Sequence, residues 1–176
     1  ESLGVTVIKD HARFRDGSTV LAGNAEIAAR RFVIATGSRA SAPLIPGLDK
    51  VPFYTNENIF ENKECPAHLI VIGGGPIGME MAQAHRRLGA RVTVLEGLRV
   101  LSREDPELSA VVTDRLRRDG VEILEGAKVL SVSGEENNIA VEVVHGQETR
   151  RIEGSHLLVA TGRRPNVEDL GLEKAG

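Results

Sequence analysis

The run Gly73-Gly74-Gly75-Pro76-Ile77-Gly78 constrains this chain more than any other feature, because of what flanks it. An apolar, partly β-branched stretch (69–72) precedes it, and apolar residues recur at a helical period after it (77–88). The alternation then continues with a strand pattern at 91–95, a helical pattern at 106–119 and a strand pattern at 121–124. Strand, helix, strand, helix, strand implies a parallel sheet, since parallel neighbours need a long crossover and right-handed crossovers are the rule. Pro106 suits the first turn of the second helix, and Asp105 is placed to cap it.

A G-x-G-x-x-G run between a strand and a helix is the fingerprint of a Rossmann dinucleotide site. Gly73 can take the tight turn, Gly75 lets the backbone approach a pyrophosphate, and Gly78 lets helix and strand pack closely. The helix N-terminus adds N–H donors and a partial positive charge, worth about 0.3 to 1 kcal/mol at an exposed site. Pro76 and Ile77 complete the turn as candidate cofactor-binding residues. The second strand ends at Glu96, 18 residues beyond Gly78, a spacing that suits an acidic acceptor for an adenosine ribose. A carboxylate about 4 Å from a 2′-phosphate costs on the order of 4 kcal/mol per unit charge at an effective dielectric of about 20. Glu96 therefore favours NAD(H) over NADP(H), while Arg99 and Arg103 keep a phosphate-binding alternative open.

The flanks read as strands alone. Runs at 5–8, 19–21 and 32–35, with turns at Asp16-Gly17 and Gly23-Asn24, predict a β-meander that ends in Ala35-Thr36-Gly37-Ser38. A proline-rich connector (42–47) follows, then a short helix at 56–60 with Thr55 as its cap. After Gly126 a second meander runs through 128–133, 139–145 and 149–152, and a further strand at 157–160 closes in Ala160-Thr161-Gly162-Arg163. Two meanders with the same ending stand in one chain, yet only the second has a β-α-β unit before it. Likeness of the two copies predicts a glycine-rich unit upstream of Glu1.

The fold expected is α/β, a Rossmann-like parallel sheet with a three-stranded meander. At 176 residues a core can form without disulfides or metals. A net charge of −3 gives no general attraction to nucleic acid or anionic lipid, and no apolar run approaches the roughly 18 residues of a membrane helix, so neither partner is expected. Cys65 is the single cysteine, and His11, His68, His85, His145 and His156 form no ligand spacing, so neither a disulfide nor a metal site is expected. The lack of a leader pattern predicts a cytoplasmic location. A short-chain dehydrogenase would need Tyr-x-x-x-Lys, and Tyr54 is followed four residues later by Asn58.

With these motifs together, the chain resembles the pyridine nucleotide-disulphide oxidoreductases, the flavoenzyme family of dihydrolipoamide dehydrogenase, glutathione reductase and mercuric reductase. The resemblance rests on Ala35-Thr36-Gly37-Ser38 with Pro43-x-x-Pro46-Gly47, on 71–80, and on 160–166, in family order. It implies that 69–160 is the NAD(P)-binding domain, 1–48 part of the FAD-binding domain, 49–68 a linker with a short helix, and 161–176 the return into the FAD domain. It places Glu80 near the nicotinamide and Gly162 at its border, and it implies a homodimeric parent in which NAD(P)H reduces FAD and FAD reduces a cysteine pair. Pro76 stands where the family often has tyrosine, so no tyrosine gate is expected. This sequence holds no C-x-x-x-x-C pair and no second glycine fingerprint. Isolated, it is expected to bind NAD(H), to hold no FAD and to lack the complete reaction, and no residue is a catalytic candidate. A stand-alone NAD-binding or redox-sensing module is the alternative.

Overall fold

A computed structural model describes residues 3–176. In chain order the elements are β1 (Ala12–Asp16), β2 (Thr19–Ala22), β3 (Ala25–Ala28), β4 (Ser38–Ala40), β5 (His68–Ile72), α1 (Pro76–Arg87), β6 (Arg91–Glu96), α2 (Pro106–Arg118), β7 (Glu122–Glu125), β8 (Lys128–Glu135), β9 (Asn138–His145), β10 (Glu148–Gly154), β11 (His156–Val159) and β12 (Arg163–Pro165). Two compact units result, one of Ala40–Arg164 and one of the chain up to Arg39 with Pro165–Gly176.

The larger unit is built on a parallel sheet of order β11-β5-β6-β7. All five residues of β5 are buried, as a central parallel strand covered on both faces requires. Successive side chains point to opposite faces of a strand. Leu69, Val71, Val92, Val94 and Leu158 accordingly join Met79 and Ala82 of α1 and Leu116 of α2 in one core. Ile70, Ile72, Leu95, Leu124, Leu157 and Val159 join Val132, Ile139, Val141, Val143 and Ile152 of the antiparallel β8-β9-β10 sheet in the other. Helices, parallel sheet and meander form three layers, the α/β architecture expected. Asp105 caps α2, accepting the Glu107 and Leu108 N–H groups at 2.9 and 3.3 Å.

The stretch expected as a linker contributes to this core through Leu48, Val51 and Ile59. Tyr54 extends the sheet beyond β11: its N–H donates to Leu157 O at 2.7 Å and its carbonyl accepts the Val159 N–H at 2.8 Å. The helix expected at 56–60 is instead a single 3-10 turn at Ile59–Glu61. Local side-chain bonds explain the difference: Asn58 Oδ1 accepts the Thr55 N–H, and Thr55 Oγ1 accepts the Glu57 N–H. Such bonds offer the backbone a turn in place of a helix.

In the smaller unit a meander of order β1-β2-β3 forms. The expected strand at 19–21 is present within β2, whereas 5–8 and 32–35 are not strands. Val5, Val7, Ile8 and Ile34 are exposed, and Val33 is 91% exposed. A β-branched run needs a neighbour to satisfy its backbone, and no described residue supplies one there. The like-ended run at 157–159 has β5 on one side and Tyr54 on the other. β1 and β3 lacked a sequence signal because one is largely charged and the other half alanine, both poor strand formers. Phe14 and Phe32 stack edge to face, with ring centres 5.1 Å apart.

Candidate functional site

Parallel strands end together, so the residues that follow them gather at one edge of the sheet. There Gly73 leaves β5, Glu96 closes β6, Glu125 closes β7 and Ala160 follows β11. β6 and β11 lie on opposite sides of β5, so the glycine-rich turn stands where the strand order reverses. In open α/β sheets this crevice is where ligands bind.

Each glycine of the turn meets different surroundings. Gly73 has φ 108, its N–H donates to Leu95 O at 2.9 Å, and a Cβ on it would lie 2.5 Å from Ala160 O. A Cβ on Gly78 would overlap Gly73 O, so α1 reaches β5 only with glycine there. Gly75 has nothing within 4 Å of a Cβ position and faces open space. It is also the N-cap of α1, and no side chain caps the helix. Pro76 is exposed at the first helical position, and Ile77 is half-buried behind it. The first intrahelical bond runs from Met79 N–H to Gly75 O at 3.0 Å, so the N–H groups of Ile77 and Gly78 precede any acceptor in the helix.

Glu96 is half-buried at the neighbouring strand end. Its Oε2 accepts the Gly74 N–H at 2.7 Å and its Oε1 the Leu98 N–H at 2.9 Å. An ionised carboxylate has about four acceptor positions, so two remain for other donors. Arg99 and Arg103 are exposed on the loop that follows. Glu80 is exposed on the second turn of α1. Gly162 is exposed two residues beyond Ala160, and its carbonyl accepts the Ser41 N–H at 3.1 Å. The sheet edge thus brings Gly73, Gly75, Pro76, Ile77, Gly78 and Glu96 into one crevice. Glu80 stands outward along the helix, and Gly162 lies past the end of β11.

Four residues that shape the turn are absent from the sequence candidates. Gly74 is confined, since a Cβ there would lie 2.5 Å from Val100 Cγ1 and 3.0 Å from Glu96 Cβ. Leu101 donates its N–H to Gly74 O at 2.8 Å. Glu125 accepts the Val100 N–H at 2.9 Å. The middle glycine had a signal in being one of three in a row; Val100, Leu101 and Glu125 had none, because only the fold brings them near residue 74. Among the described residues no group of three or more His, Cys, Asp or Glu is arranged to hold a metal. Among the same residues no helix is long and apolar enough to cross a membrane.

The sequence profile described as pyridine nucleotide-disulphide oxidoreductase matches residues 1–176. A mercuric reductase of Lysinibacillus sphaericus is 42% identical over 173 residues, 97% of this chain and 31% of that protein. A dihydrolipoyl dehydrogenase of Geobacillus stearothermophilus is 33% identical over 183 residues, 98% of this chain and 37% of that protein. Among solved structures, the Cu(II) complex of the HOCl-induced flavoprotein disulfide reductase RclA from Escherichia coli superposes with a TM-score of 0.78 at 33% identity, covering 97% of this chain and 39% of that one. The chain therefore spans roughly a third of the length of these relatives.

Proposed function

Because the chain belongs to the pyridine nucleotide-disulphide oxidoreductase family, we propose that its Rossmann unit binds NAD(H) as the nucleotide-binding portion of a flavin-dependent oxidoreductase. The observation that carries this is the crevice at the carboxyl end of β5. There an open-faced Gly75, an uncapped helix N-terminus and the Glu96 carboxylate lie side by side. These fit a dinucleotide. A pyrophosphate needs close backbone approach and N–H donors, and a ribose diol needs an acceptor. Gly75, Ile77 and Gly78 would take the pyrophosphate, and Glu96 the ribose hydroxyls.

Bound NADH would supply a hydride, and in this proposal a flavin of the parent protein would accept it. The chain's own residues bind and orient the nucleotide, with Glu80 and Gly162 toward the nicotinamide end. Mercuric reductase and dihydrolipoyl dehydrogenase are the names of relatives that differ in what they act on. Both align with this same stretch, which fits a role at the nucleotide end, shared by both, and not at the acceptor end.

Calorimetric titration of the 176-residue chain tests the proposal, with NADH expected to bind more tightly than NADPH. Repulsion between Glu96 and a 2′-phosphate, reduced by solvent, leaves about tenfold discrimination. Glu96→Arg is expected to move the affinity ratio toward NADPH by at least about that factor. Equal affinities in the wild type would remove the role given to Glu96, and absence of NADH binding would refute the site.

A further inference from the structure

We infer that Glu125 is a positioning residue for the nucleotide crevice, acting through the 97–101 loop. This inference rests on the nucleotide-binding proposal above. Glu125 closes β7, and its two oxygens are divided between two elements: Oε1 accepts the Val100 N–H at 2.9 Å, and Oε2 accepts from Arg117 of α2 at 3.0 Å. The loop it holds bears on both halves of the crevice. Val100 is 2% exposed, and its Cγ1 occupies the space beside Gly74 that a Cβ would need. Leu101 donates to Gly74 O, while the Gly74 N–H is held by Glu96. One residue of the turn, Gly74, is thus held at its N–H by Glu96 and at its carbonyl by the loop, so the two peptide units that flank it are both fixed.

Glu96 leans on the same loop, because its second oxygen is fixed by the Leu98 N–H. Leu101 has φ 52, a left-handed conformation that a leucine holds only when its surroundings impose it. At the far end of the loop Leu101 O accepts from the Glu104 N–H at 3.0 Å and the Ser109 hydroxyl at 3.2 Å, and two ties reach its near end, Gly126 N–H to Leu98 O and Ala127 N–H to Glu96 O, each at 2.9 Å. Both near-end ties are backbone bonds that any side chain leaves intact. Glu125 ties the loop through a side chain, and removing its acceptor strands the Val100 N–H.

Three variants of the 176-residue chain separate the roles of its two oxygens. Glu125→Ala removes the acceptor, Glu125→Gln keeps an oxygen for Val100 but loses the charge that Arg117 meets, and Glu125→Asp keeps charge but falls one methylene short. The Ala variant is expected to bind NADH about tenfold more weakly, as loss of one half-buried acceptor that leaves the buried Val100 N–H unpaired implies. Gln is expected to restore affinity to within about threefold of wild type, with Asp between them. The NADH-to-NADPH affinity ratio should also fall in the Ala variant, because Glu96 loses its hold. A merely structural defect lowers both affinities equally and leaves the ratio unchanged.

Amide hydrogen exchange without nucleotide gives a second readout, with faster exchange expected at Gly74, Leu98 and Leu101 in the Ala and Asp variants. Unchanged exchange there overturns the role of Glu125 whether or not NADH binds. Wild-type affinity in a folded Ala variant, or equal loss for both nucleotides, also overturns it. If Ala does not fold, Asp carries the same comparisons. Failure of the wild type to bind NADH refutes the nucleotide site, and exchange then decides the inference alone.

Discussion

Gly75 and Gly78 lack the same atom for opposite reasons. A methyl on Gly78 would strike the Gly73 carbonyl, whereas a methyl on Gly75 would meet nothing within 4 Å. Gly75 has φ −73 and ψ 179, which alanine adopts without strain. Gly78→Ala is therefore expected to destabilise the fold by about 2 kcal/mol or more, as overpacked cores do, measured by urea unfolding. Gly75→Ala should leave the unfolding midpoint within about 0.5 kcal/mol of wild type and weaken NADH binding at least about tenfold. A Gly75→Ala chain that binds NADH normally would remove the pyrophosphate from this turn. The spacing of Gly73, Gly75 and Gly78 was legible because the turn is local. The confinement of Gly74 was not, since Val100 presses on it from 26 residues away. Glu96 could be read from distance along the chain, but not its bonds to Gly74 and Leu98 N–H.

Among elements, α2 shows what pattern reading recovers and what it misses. Its start was legible from Asp105 and Pro106, whose chemistry is local. Its buried face is not its most apolar one: Ser109 and Thr113 are buried with Leu116, while Leu108 and Val111 are 68% and 70% exposed. The buried hydroxyls are satisfied within the fold, Ser109 by Leu101 O and Thr113 by Ser109 O. Leu116→Ala should then cost about 2 to 5 kcal/mol in urea unfolding, and Leu108→Gln or Val111→Gln within about 0.5 kcal/mol. The reverse ordering would place the wrong face against the sheet. Strands show a related limit. The apolar runs at 32–35 and 157–160 read alike, and only the second has strand neighbours among the described residues, because periodicity reports what a segment needs and not what stands beside it. His68 joins three strands, with Nδ1 2.6 Å from Glu153 O of β10 and Nε2 2.9 Å from Thr93 Oγ1 of β6. Burial pushes its pKa below 6.5, against the Glu153 carbonyl and Glu122, which raise it, and with Arg91, which lowers it. The fold thus prefers neutral His68, a contribution present above about pH 6.5 and lost as pH falls through the lower folded value. Burial lowers His156 in the same way. Melting temperature is expected to fall between pH 7.5 and 5, and less steeply in His68→Gln; parallel profiles would assign the fall to other groups.

At the scale of the whole molecule, every candidate nucleotide-binding residue lies in the Ala40–Arg164 unit, whose helices, sheet and meander supply two cores of their own. The smaller unit has the lesser core, and its buried apolar side chains are Phe14 and Ala22. Sequence reading recovered the larger unit well because its strands and helices alternate with clear punctuation. It recovered the smaller one poorly because no strand among the described residues pairs with 5–8 or 32–35. The Phe32-Val33-Ile34-Ala35 run, half-buried at Phe32 and exposed from Val33 to Ala35, has a consequence for handling the chain in concentrated solution. It is uncharged, rich in β-formers and free of proline, the composition that nucleates cross-β stacking. A lysine at the fully solvated Val33 would act as a gatekeeper, since charge on an open strand edge opposes edge-to-edge growth. Val33→Lys is expected to raise the concentration at which light scattering first increases, with the melting temperature unchanged. An unaltered threshold would mean that precipitation starts elsewhere. A raised threshold would assign the solubility limit of this 176-residue chain to four residues that lie outside the Ala40–Arg164 unit.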